Sequence, residues 1–373
     1  MKTHIHPPAF ARPLIAFLTS AFCLLAITPQ AKAASSATAT NIIAAGAYHS
    51  LYVTSDGTLY GVGSNSYAQL GFDGGPGSRS IIPVQIASNV VAMAGGNTTS
   101  FYVTSDGKLY AMGRTYNGQL GNGIITDSYT TTPVYVAPDV VAVAAGVGGG
   151  HAFYLTSNLT LYAMGDNSYG QLGDGSSGPG NYKATPVQVA TNVIAMAAGG
   201  GHSLYVTSDG NLYAMGNNSF GQLGDGTTTD RHTPVYVASN VVAVAAGNWF
   251  SLFVTSKGDL YAMGGNSSGQ LGDGTGAPNS YRATPVHVAS NVVAVAAGAG
   301  HSLYVTKDGK LYAMGANAHG ELGDGTTTNL YLPKPIAYDV IAVAGGYDHS
   351  LYVTTDGHLC AMGWNTNGPR LSY

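Results

Sequence analysis

Residues 245–275 read AAGNWFSLFVTSKGDLYAMGGNSSGQLGDGT, and residues 197–227 read AAGGGHSLYVTSDGNLYAMGNNSFGQLGDGT. The chain writes this line seven times. Each run of small apolar residues closes on a glycine: Gly46, Gly96, Gly146, Gly199, Gly247, Gly298 and Gly346, spaced 48 to 53 residues apart. A period near fifty is the mark of a propeller or solenoid. Inside a unit, the apolar run suits a buried strand. SLYVTS and NLYAMG alternate like two further strands, and Asp209-Gly210 between them predicts a type I′ hairpin with φ > 0 at both residues. NSFGQLGDGTTT is a glycine-rich excursion. TPVYVAS is a fourth strand, and Pro234 places it at a sheet edge, where no N–H is needed. Four strands, seven units and no helical period predict an all-β, seven-bladed β-propeller.

Composition agrees. Gly occupies 53 positions and Tyr 25, only 9% of residues are charged, and Glu321 is the one glutamate. Strands and turns favour such residues over helices. Residues 1–33 read differently. Lys2 and Arg12 precede an apolar stretch from Leu14 to Ile27, and Ala31-Lys32-Ala33 offers small residues before Ala34. This predicts a cleaved secretory leader and one propeller domain over 34–373, exported to a periplasmic, surface or extracellular location. The apolar stretch is too short to span a bilayer, so no stable membrane insertion is expected. Losing Lys2, Arg12 and Lys32 would take the formal charge from −4 to −7, the wrong sign for nucleic acid. Cys360 would be the remaining cysteine, so no internal disulfide is expected.

The pattern AAGxxHSLYVTSDGxLYAMGxNxxGQLGDGT resembles the repeat of the regulator of chromosome condensation family, with its bacterial alpha-tubulin suppressor-like members, over about residues 40–368. Kelch repeats share the period but carry a Gly-Gly doublet and a Trp that these units lack. The resemblance implies a propeller that closes by borrowing strands from the opposite terminus. Pro83, Pro133, Pro186, Pro234, Pro285 and Pro335 mark six outer strands, and the seventh unit stops before its own, so the last blade is expected to be incomplete. Ala34 to Ile43 is the one stretch available to supply a strand there.

No catalytic set stands out. His49, His151, His202, His301 and His349 share one repeat slot, with Thr99 and Phe250 in the other two. Equivalent residues of different blades do not converge on one ion, so the slot reads as support for the loop within each blade. The Gly-Asp-Gly turns at Asp174, Asp225, Asp273 and Asp324 lack the alternating acids of a calcium loop; Asp bending its own backbone suffices. Glu321 takes a Gln slot and Cys360 a strand Tyr slot. Neither a cofactor nor a metal is expected, and the chain reads as a non-enzyme.

What varies is the tip after each marker glycine. Tyr48, Asn97, Asn248, Trp249, Phe250, Tyr347 and Asp348 are the candidate partner contacts, ringing one face. A second variable set, with Tyr129, Tyr182, Arg231, Tyr281, Arg282 and Tyr331 in or after the excursions, is expected on the side or the opposite face. The reading is an exported, monomeric scaffold for an unidentified protein or, second, a carbohydrate. The resemblance supplies a precedent in a secreted β-lactamase inhibitor. It also supplies the alternative, guanine-nucleotide exchange on a small GTPase, against which stand the even spacing and the leader.

Overall fold

The computed structural model describes residues 42–365; the leader, Ala34 to Asn41 and residues 366–373 lie outside them. The described chain forms seven antiparallel sheets in sequence order, spanning 43–87, 90–137, 140–190, 193–238, 241–289, 292–337 and 340–363. Blades 1 to 6 have four strands in simple meander order, and blade 7 has three. In blade 5, the inner strand Val241–Ala246 pairs with Phe250–Thr255, then Leu260–Gly265, then the outer Tyr281–Ala289.

Packing follows the period of two. The third-strand leucines Leu59, Leu109, Leu161, Leu212, Leu260 and Leu311 are fully buried. Cross-strand aromatic pairs such as Tyr205–Tyr213 and Phe253–Tyr261 stack at 5.2 and 5.1 Å, the side-chain pairing that stabilises sheets. Inner-strand Ala and Val let neighbouring blades come close. One apolar cluster joins Ala197, Leu204 and Val206 of blade 4 to Val241 and Phe253 of blade 5.

The hairpin turns differ from the predicted type. Gly210 has φ +81°, but Asp209 does not take a positive φ. Gly210 N–H donates to Thr207 O, and Thr207 N–H to Asn211 O. The loop is therefore three residues, a turn followed by one left-handed residue. Asp209 serves as an acceptor for the Thr207 hydroxyl rather than as a left-handed residue. Blade 3 spells the turn Ser157-Asn158-Leu159, and Leu159 takes φ +63° where every other blade uses glycine.

The ring closes by face packing. Ile43 and Ala45 of blade 1 share a buried cluster with Leu351 and Val353 of blade 7. Tyr347 N–H donates to Ala47 O at 3.4 Å. Ile43 starts the inner strand of blade 1, so it is not available for an outer strand of blade 7; the rest of the stretch expected to supply one lies outside the described residues. Leu359, in the slot buried in six blades, is 41% exposed.

Candidate functional site

In each blade, the end of the third strand donates its N–H to the tip between the first two: Ser64 to Tyr48 O, Arg114 to Thr98 O, Asp166 to Gly150 O, Asn217 to Gly201 O, Gly265 to Trp249 O, Ala316 to Gly300 O and Trp364 to Asp348 O. Tips and excursions therefore share one face. The expectation of a side or opposite face for the excursions is corrected, because an even strand order returns the chain to the end where the tips lie.

The histidine slot is likewise not local. His49 Nε2 meets Ser100 Oγ of the next blade at 2.8 Å, and His151–Ser203, His202–Ser251, His301–Ser350 and His349–Ser50 repeat the contact at 2.8 to 3.1 Å. Ser100, Ser203, Ser251 and Ser350 donate to the main-chain oxygen of Gln69, Gln171, Gln222 and Glu321 in the preceding blade. Those hydroxyls, their own hydrogens used, accept a hydrogen bond from the imidazole Nε2–H, and burial keeps the ring neutral. Burial drives His49, His202 and His301 down to about 3, and His151 and His349 to about 4. Thr99 lacks the ring, and the next blade has Ala152 in the serine's place. Both halves of that joint are missing together, whereas at the Phe250 joint the next blade keeps Ser302, which still donates to Gln270 O. The marker glycine is explained too: a Cβ on Gly199 would fall 2.4 Å from His202 Cε1.

Phe250 occupies the same seat. It is 0% exposed, its ring lies against Gly247, and it packs with Leu252, Leu260 and Tyr304. The expectation of Phe250 as a partner contact is therefore corrected. Neighbours on a strand point to opposite sides, so Trp249 faces out, 41% exposed, while Phe250 faces in. Tyr48 is exposed, and Asn97, Asn248, Tyr347 and Asp348 are half-buried.

The glutamine of each GQL holds the excursion in shape. Gln69, Gln119, Gln171, Gln222 and Gln270 Oε1 accept the N–H two residues back, from Tyr67, Asn117, Tyr169, Phe220 and Ser268; buried Glu321 does so for His319 at 2.7 Å. Asn167, Asn218, Asn266 and Asn317 tie the excursion to Asp174, Asp225, Asp273 and Asp324 at 2.9 to 3.1 Å. The outer strand brings Lys183, Arg231, Arg282 and Lys334 to those carboxylates at 2.7 to 3.2 Å. Burial alone would raise Asp324, yet Lys334, Thr326 and Asn317 hold it down at about 2. These turns have a cation already, supplied by the chain.

The fixed excursions project aromatic rings that sequence reading missed. Tyr67, Tyr169, Phe220 and His319 each precede the small residue of A/G-Q/E-L, a signal visible in the repeat. Phe220 tilts against Trp249 at 5.8 Å, Tyr48 stacks on Tyr347 at 5.7 Å and meets Trp364 edge-on at 5.8 Å, and His319 stacks on Trp364 at 5.2 Å. Blade 3 carries a longer tip, Gly148-Gly149-Gly150, which crosses the hub to Asn248 of blade 5. A Cβ on Gly148 would fall 1.7 Å from Asn248 Oδ1. Beside this crossing lies a cleft of about 340 Å³ lined by Asn97, Arg114, Tyr116, Asp166, Tyr169 and Trp249. Among the described residues, no group of three or more His, Cys, Asp or Glu is placed to hold a metal.

Comparison with known proteins fits this geometry. A human structure, WBSCR16, superposes with a TM-score of 0.74 at 25% identity, covering 84% of this chain and 86% of that one. Prp20p from Saccharomyces cerevisiae gives 0.69 at 23% identity, covering 87% and 82%, and shares the fold. The human X-linked retinitis pigmentosa GTPase regulator is 34% identical over 188 residues, half of this chain and 14% of that protein. The human probable E3 ubiquitin-protein ligase HERC4 is 29% identical over 194 residues, 49% of this chain and 18% of that protein. The chain thus spans less than a fifth of the length of these two curated relatives. Regulator of chromosome condensation (RCC1) repeats match residues 42–69 and 56–103, and the RCC1-like domain matches residues 126–370. With its seven blades, its inter-blade joints and that match over most of its length, the chain belongs to the RCC1-like domain family.

Proposed function

We propose that this chain is a non-enzymatic, exported binding scaffold whose loop face holds a protein partner. One observation carries the reading: both tryptophans of the chain and most of its loop aromatics stand on the single face where tips and excursions meet. Trp, Tyr and Arg dominate the energetics of protein interfaces, and a rigid scaffold presents them at little entropic cost. The five buried histidines of the repeat slot are committed to blade joints and held neutral. Prp20p is described by its binding to Gsp1p and histones and has been seen with Kap60, so a propeller of this fold serves protein binding elsewhere. The excursions of blades 1 to 6 are of similar length, with no protruding segment among the described residues to act on a nucleotide site, which leaves exchange on a GTPase second.

The test is a comparison of wild-type chain with a Tyr48→Ala, Trp249→Ala, Tyr347→Ala variant in capturing partners from the envelope fraction of the source cells. The variant is expected to lose the specific partner while keeping its melting temperature. Equal retention by both would move the site off this face.

A further inference from the structure

Two carboxylates on the loop face stand among aromatic rings with no ion-pair partner among the described residues. Asp166 lines the cleft together with Tyr116, Tyr169 and Trp249, and it acts electrostatically on the Tyr182 ring. One of its oxygens takes the Ser168 N–H and hydroxyl; no Lys or Arg meets the group. Asp348 is half-buried beside Tyr48, Tyr347 and His319, and burial raises its carboxyl above the usual range against the pull of His319. A carboxylate partly out of water gains most from a cation brought to it.

The same face shows the completed form of this chemistry. The Arg114 guanidinium lies 5.0 Å from the Tyr67 ring centre and 4.9 Å from that of Tyr116, and it donates to Asp127 at 3.1 Å. That is one cation between two rings and against one carboxylate. Asp166 and Asp348 present rings and a carboxylate without the cation. Arg114 lines the cleft too, where it donates to the largely exposed Asp127 rather than to Asp166. The rest of the lining is amides, hydroxyls and glycines, which offers no seat for an acyl chain and no basic cluster for a phosphate.

We propose that the loop face takes a basic protein segment, one Lys or Arg side chain entering the cleft against Asp166 and another reaching Asp348 among its rings. Guanidinium suits both places better than ammonium, because its flat face stacks on an aromatic ring while its edge donates to a carboxylate. This inference rests on the loop face being the binding face, and the experiment separates the two.

The chain's two tryptophans, Trp249 and Trp364, are both on this face, so their fluorescence reports occupancy. The full chain is titrated with acetyl-Gly-Arg-Gly-Arg-Gly-Arg-Gly amide and with the same peptide carrying citrulline, which keeps the shape of arginine and removes its charge. The arginine peptide is expected to bind about tenfold more tightly, and Asp166→Asn and Asp348→Asn each to weaken it about fivefold, since charge pairs in a protected site dominate such contacts. Equal binding of the two peptides, or unchanged affinity in both Asn variants, overturns the basic-partner inference. If that charge-blind binding is lost in Trp249→Ala and Tyr347→Ala, the face still stands as the binding surface. Binding indifferent to all four variants, or none at millimolar arginine peptide, overturns the inference, and indifference to the aromatic variants removes the face as well.

Discussion

Replacing His202 by Phe should make the protein weaker at neutral pH and stronger in acid. The histidine is buried and held down to about 3, whereas in an unfolded chain its pKa is about 6.5. The folded state therefore binds fewer protons between those values. Stability is fully present above pH 6.5 and falls as the pH drops toward the folded value. Between pH 7 and pH 5, one such histidine costs about 2 kcal/mol. Five of them cost about 10 kcal/mol, comparable to the 5–15 kcal/mol that holds a domain folded. Phe in this seat has a precedent in Phe250, so little overpacking is expected. At pH 7.5 the variant loses the His202–Ser251 bond of 2.8 Å, about 1 kcal/mol net, while Ser251 keeps its bond to Gln222 O. At pH 5 it escapes the proton penalty and ends about 1 kcal/mol ahead, by the same linkage. Urea unfolding followed by far-ultraviolet circular dichroism at pH 7.5, 6 and 5 measures the difference. A deficit that stays constant across the three values would refute a neutral, proton-linked joint.

Trp249→Ala should change stability by less than about 1 kcal/mol, whereas Phe250→Ala should cost about 3–5 kcal/mol; thermal melts of the pair tell the outward from the inward residue, and similar losses would contradict the assignment. Leu159→Gly should stabilise by about 0.5 kcal/mol, because relief of a left-handed leucine exceeds the extra freedom of glycine in the unfolded chain. A lower melting temperature would show that the Leu159 side chain contributes more than its conformation costs. Gly148→Ala should destabilise by about 1–3 kcal/mol through its clash with Asn248, and adding Asn248→Ala should restore most of the loss. Additive effects in that double-mutant cycle would mean that the two blades do not touch there.

Much of the fold was legible because a propeller is written in local terms. Marker glycines, alternating strands and edge prolines each report on residues within a few positions of themselves. What stayed hidden was non-local. His202 and Ser251 are 49 positions apart, and nothing in a single unit says that the histidine reaches out of its own blade. The paired loss at Thr99 and Ala152 was the available clue. Asp-Gly announced a hairpin correctly, yet could not separate a two-residue loop from a three-residue one, since both need only one obligatory glycine. Variability at the tips misled at Phe250, because a residue may vary either where it meets solvent or where two side chains fit the same hole. The repeat itself held the correction, as Phe250 stands in the slot of five histidines. The ring preceding A/G-Q/E-L in four of the six excursions was equally visible, but its importance depends on the glutamine or glutamate that fixes the loop beneath it.

The histidine–serine contacts also set an order of assembly. Four of them join residues 49 to 52 positions apart, while His349 to Ser50 spans 299. As the chain is made from its N-terminus, each new blade can dock on the one before it within a short stretch of synthesis. The flank of the first blade must wait for the last, with Ile43 and Ala45 bare until Leu351 and Val353 arrive. An unclosed arc therefore has two open flanks: the newest blade's is covered as soon as the next blade docks, whereas the first blade's stays uncovered until the ring closes.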